Sequence, residues 1–173
     1  MKSPLEQILT GRIKKEKMSA FLSAHPEMFD EAVRLSLSDQ KPISWRASWA
    51  IGGIISENSE KLIPFIPDIL TKLPELEDGH QREFIKILMQ SELSEDQQGL
   101  LFDICVSIWE QVRKKPSVRY FAFQVMVDMT EIYPELIHEV ISLTQSQYIN
   151  SLSPGIKKGV YKIVERLRLR NEE

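Results

Sequence analysis

The residues of this chain that could do chemistry are few and widely separated. His25, His80 and His138 stand 55 and 58 residues apart; His25 precedes a proline and His80 reads as lying in a turn, and neither of these two has a cysteine or acidic companion at metal-ligand spacing. HExxH, CxxC and paired-histidine patterns are missing, which argues against a metal site. No GxGxxG or GxxxxGK[ST] run is present to cradle a phosphate, and no serine sits in a nucleophile-elbow context. Cys105 is the single cysteine, so no intrachain disulfide can form. It lies among Ile104, Val106 and Ile108 in a helical pattern, where a buried thiol is a plainer reading than a nucleophile. The acid pairs Asp30-Glu31, Glu77-Asp78 and Glu95-Asp96 fall at helix starts and turns and read as solvated charge. No catalytic residue, metal ligand or cofactor follows, and the chain reads as a non-enzyme.

Three further groups could bind. Arg46, Arg82 and Arg119 recur near helix starts, either as an anion-binding row or as structural cations neutralised by neighbouring acids. Trp45 and Trp49, four residues apart, share one helix face. Trp49 would be an exposed binding anchor, or would fill space beside Gly52 and Gly53, or would pack under the N-terminal segment. The Gly52-Gly53 pair costs a helix about 1 kcal/mol per glycine relative to Ala, which suggests close approach by another group. Basic clusters mark both ends: Arg12, Lys14, Lys15 and Lys17, then Lys157, Lys158, Lys162, Arg166, Arg168 and Arg170. They read as solubilising faces or as a phosphate-binding cleft.

The charge is unevenly spread. Residues 1–20 and 151–173 each carry +3, so the body carries -9 within a net charge of -3. That balance disfavours nucleic acid and anionic membranes as partners. Lys14, Lys15, Glu16 and Lys17 interrupt any export signal in residues 1–20. No apolar run approaches the ~20 residues of a membrane span, and a cytoplasmic protein is the expectation.

The elements that must position these groups are helices. Leu101, Ile104, Cys105, Ile108 and Val112 form one stripe, and Ile156, Val160, Ile163, Val164 and Leu167 another. Four helix breakers, Pro42, Gly79, Pro116 and Pro154, follow each other at 37, 37 and 38 residues, the mark of a repeat array. Pairing the segments gives A helices over about 27–38, 62–73, 97–113 and 134–145. The B helices span about 43–57, 80–91, 117–132 and 155–169. Residues 3–9 and 12–24 form a shorter hairpin turned at Thr10-Gly11.

The B helices align in columns. Ala47, Phe84, Ala122 and Val160 share one; Ala50, Ile87, Val125 and Ile163 the next; Ile51, Leu88, Met126 and Val164 the third. This is one buried face repeated four times. Between them run Trp49, Lys86, Gln124 and Lys162, then Gly53, Gln90, Asp128 and Arg166, which should point away from the core.

With this period and these columns, residues 26–169 resemble the HEAT-repeat family of α-solenoids. Pro26 and Pro134 opening A helices, and Pro64 and Pro67 near the start of another, add to the likeness. Asp39 with Arg46 and Asp78 with Arg82 look like the family's Asp–Arg turn pairs. Arg119 lacks its acid, and the fourth unit offers only Lys157 or Lys158. The resemblance implies an all-α, right-handed superhelix of four hairpins behind an N-terminal capping hairpin. It would be a single domain over 1–173, divided into a cap (1–25) and repeats 26–62, 63–95, 96–133 and 134–173. It also implies that B helices line a concave wall where partners bind. The expected function is a non-catalytic scaffold holding a protein partner on Trp49, Lys86, Gln90, Gln124, Asp128, Lys162 and Arg166. One alternative is a HEAT-like DNA-binding protein of the alkylation-repair type using a basic cleft, which the acidic body opposes. Another is a regulatory subunit that docks through its acidic A-helix face.

Overall fold

The computed structural model describes residues 1–172, which are helical with no strand among them. The chain forms two compact units, Met1–Ser94 and Glu95–Glu173.

The N-terminal unit opens on a short hairpin, α1 (Pro4–Thr10) and α2 (Lys15–Ala24). Ser3 starts α1 by a reciprocal cap. Its Oγ accepts from the Glu6 amide at 3.1 Å, while Glu6 Oε2 accepts from the Ser3 amide at 2.8 Å. Two donors without helical partners are thereby satisfied. The next hairpin is α3 (Phe29–Leu37) and α4 (Ile43–Gly52), and the third is built from α5 (Ser59–Leu62), α6 (Ile66–Lys72) and α7 (Asp78–Leu88). Helix α4 packs on α2, α3 and α7 and is the centre of this unit.

The C-terminal unit contains α8 (Glu95–Glu110), α9 (Pro116–Ile132), α10 (Ile137–Ser142), α11 (Ser146–Ile149) and α12 (Pro154–Asn171). Helix α8 packs along α9, and α10 and α12 pack on α9 and on each other.

All four periodic breakers stand at B-helix starts. Pro42 precedes α4, Gly79 lies in the first turn of α7, and Pro116 and Pro154 are the first residues of α9 and α12. A proline there loses no helical hydrogen bond and brings its φ already set. The twelve residues of the three apolar columns are all buried, from 0 to 8% exposed.

The irregularities lie mainly in the A segments. The helix expected over 62–73 is cut by 3-10 turns at Ile63–Phe65 and Leu73–Glu75. Pro64, Pro67 and Pro74 each remove a backbone donor, and the ladder cannot run through them. Pro134 likewise opens a 3-10 turn ahead of α10. Helix α4 stops at Gly52 instead of running to 57, because two successive glycines weaken helical persistence. The short α11 occupies what the spacing reads as a loop.

Candidate functional site

The outward columns of the B helices are divided between the two units. In the N-terminal unit they hold Trp49 and Gly53 of α4 with Lys86 and Gln90 of α7. Trp49 is half-buried and meets Trp45 edge-on, with ring centroids 4.3 Å apart. The positive edge of one ring thereby meets the negative face of the other. Gly53 is where α2 comes closest: an added Cβ would lie 2.0 Å from Ser19 Oγ and 2.6 Å from its Cβ. Gly53 therefore serves a close approach of the capping hairpin, while Gly52 faces α7.

Sequence reasoning missed the group at the centre of this surface, Glu83. It lies on α7, in register with Arg46 of α4, and is only 2% exposed. Its Oε2 is 3.3 Å from Lys15 Nζ and 3.5 Å from Lys86 Nζ, and its Oε1 is 3.4 Å from Arg82 Nη2. A Cβ built on Gly52 would stand 3.6 Å from Oε2, so α4 approaches the carboxylate without crowding it. One buried acid thus gathers three cations, each about one-third exposed. Gln90 extends the surface, its Nε2 donating to the Lys86 carbonyl at 3.1 Å.

The turn arginines do not engage the acids that the family resemblance suggests. Arg46 Nη1 donates to the carbonyls of Leu9 at 2.9 Å and Gly11 at 2.7 Å, capping the end of α1. Asp39 instead accepts from Lys72 Nζ at 3.1 Å. Arg82 turns to Glu83 rather than to Asp78. Arg119, fully buried, repeats what Arg46 does. Its Nε donates to the Trp109 carbonyl at 2.8 Å, Nη2 to the Tyr148 carbonyl at 2.5 Å and Nη1 to Ser151 Oγ at 2.8 Å. The guanidinium also lies 4.7 Å from the Trp109 ring centroid, and burial lowers its pKa. Carbonyls at helix ends carry partial negative charge, so a cation suits them without an acid. These side chains are tied into the packing and do not form a free anion-binding row.

In the C-terminal unit the outward columns hold Gln124 and Asp128 of α9 with Lys162 and Arg166 of α12. Gln124 is half-buried, and the other three are exposed. Neighbouring groups that strip part of its hydration, then the Glu131 carboxylate, raise the pKa of the Asp128 carboxyl. Farther along α12, Arg170 donates to Glu131 Oε1 at 2.6 Å and to the Thr130 carbonyl at 3.2 Å, fastening α12 to the end of α9. Part of the terminal basic cluster therefore joins helices.

No catalytic constellation emerges from the remaining candidates. Cys105 is fully buried, and burial pushes its thiol pKa well up. His80 is not in a turn: it lies in α7, 8% exposed, stacked on Phe84 at 5.1 Å. Burial lowers its pKa to about 4. His25 pairs with Glu27 at 3.1 Å on the surface. No group of three potential metal ligands, and no helix long and apolar enough to cross a membrane, occurs among the described residues.

Comparison with known proteins agrees with this architecture. The family model for the HEAT repeat domain matches residues 5–167. No curated protein and no solved structure matches the chain.

Proposed function

Because the chain belongs to the HEAT repeat domain family, whose repeats are generally protein-interaction scaffolds, we propose that it is a non-catalytic scaffold holding a segment of another protein on its B helices. The observation that carries this reading is the pairing of aromatic and cationic groups at equivalent positions. Trp45 and Trp49 occupy in α4 the places that Arg82 and Lys86 occupy in α7. Three partly exposed cations gather around Glu83. A partner segment that lays an apolar residue on Trp49 and a carboxylate near Lys86 and Gln90 would bury ring surface and pair charge at once. Gln124, Asp128, Lys162 and Arg166 offer a second polar set in the C-terminal unit. The acidic balance of the body disfavours nucleic acid, and a reducing, cytoplasmic setting suits the lone buried thiol of Cys105.

Affinity capture from native lysate, comparing wild type with the Trp49→Ala, Lys86→Glu double variant, tests the proposal. Proteins retained by wild type should fall about tenfold or more with the variant, the loss expected of a contact hot spot, while its circular dichroism stays unchanged. Equal retention by the two overturns it.

A further inference from the structure

We infer that a groove between α8 and α10, on the A-helix side of the C-terminal unit, is a second docking site that takes a basic amphipathic segment of another protein. The groove encloses about 600 Å³, within the range of sites that receive side chains. Its floor is apolar: Phe102 and Met129 are 6 and 8% exposed, Leu136 is half-buried, and Leu100 stands 47% exposed at the mouth. Its rim is acidic. Glu95, Asp96 and Asp103 of α8 face it from one side, and Glu135 and Glu139 from the other. All five carboxylates are exposed. None is in an ion pair among the described residues, and no Lys, Arg or His lines the groove.

The floor is held in place. Tyr133, just after α9, donates from its hydroxyl to Gln98 Oε1 of α8 at 2.7 Å, tying together the two elements that set the groove's width. A preformed site loses less ordering entropy on binding.

The chemistry selects the occupant. Five like charges around a water-exposed leucine are unfavourable alone and are relieved by cations. An acidic segment, a nucleic acid or an anionic membrane would be repelled. An uncharged apolar segment would cover Leu100 and leave the carboxylates unmatched. A helix with leucines on one face and lysines or arginines flanking them satisfies both halves of the groove.

The probe is a fluorescein-labelled, amidated peptide of about 15 residues patterned with one leucine face and flanking lysines, followed by fluorescence anisotropy. Saturable binding is expected. It should weaken about tenfold or more, as expected for lost hot-spot and charge contacts, with Glu135→Lys plus Glu139→Lys, and separately with Leu100→Ser. The control pair Glu60→Lys plus Asp68→Lys, exposed acids of the N-terminal unit, should leave binding unchanged. A peptide with its leucines replaced by alanine should lose affinity. Unchanged binding in the groove variants, or equal loss in the control pair, overturns the inference. So does self-association in sedimentation velocity that Glu135→Lys plus Glu139→Lys abolishes, since the groove would then belong to a second copy of this chain.

Discussion

Lys15 Nζ stands 3.3 Å from Glu83 Oε2, joining the capping hairpin to a helix 68 residues further along the chain. Gly52 of α4 lies beside the same carboxylate, at a distance that leaves room for a methyl group. Removing either partner should have unequal effects. Lys15 is about one-third exposed, and Lys15→Met should cost roughly 0.5 kcal/mol. Glu83→Gln removes a nearly fully buried carboxylate from all three contacts at once and should cost more, about 1–3 kcal/mol. Urea unfolding of the two variants measures the contrast; equal effects would deny Glu83 its central place.

The two glycines of α4 should respond oppositely to a methyl group. At Gly53 the added Cβ meets Ser19 at 2.0 Å, and Gly53→Ala should destabilise by roughly 1–3 kcal/mol, as overpacking does. The clash is with a side chain on another helix, so Ser19→Gly should recover part of that loss. At Gly52 the nearest atom is 3.6 Å away, ordinary contact, and Gly52→Ala should be neutral or stabilising by up to about 1 kcal/mol. Thermal denaturation of the three variants checks this.

Arg119 should be among the least replaceable side chains. Its three nitrogens serve three acceptors from two directions, a fork that an ammonium group cannot reproduce. Arg119→Met would orphan the carbonyls of Trp109 and Tyr148 and cost about 3–5 kcal/mol. Arg119→Lys should recover less than half of that loss in denaturant titrations.

His80 gives the fold a pH dependence with a definite sign. Its pKa is about 4 when folded, against 6.5 for an unperturbed histidine. The unfolded chain therefore takes up the proton first as pH falls. The stability associated with neutral His80 is complete above about 6.5 and declines as pH drops toward 4, by up to roughly 3 kcal/mol. His80→Leu should flatten that part of a stability-versus-pH curve measured by urea titration, and an unchanged slope would contradict the assignment.

Much of the fold is legible because packing repeats. Pro42, Gly79, Pro116 and Pro154 mark B-helix starts, and the three apolar columns are the buried face. What stays hidden depends on contacts between distant segments. Glu83 looks like any surface acid of a helix, since nothing local announces that Lys15 will reach it. Arg46 and Asp39 look like partners by family resemblance, yet the capping hairpin offers Arg46 two carbonyls and Lys72 claims Asp39. The acidic groove is likewise dispersed in sequence, with rim residues spread from 95 to 139 that only the packing of α8 against the α9–α10 turn brings together.

A partner seated on the outward columns of the B helices lies within crosslinking reach of those residues. Site-specific photo-crosslinking in cells tests this placement most directly, with a benzophenone amino acid placed at Gln90 and Lys162, and at Glu60 as a position outside those columns. A discrete protein adduct is expected from Gln90 or Lys162 and none from Glu60. Adducts from Glu60 alone, with Gln90 and Lys162 silent, would contradict it.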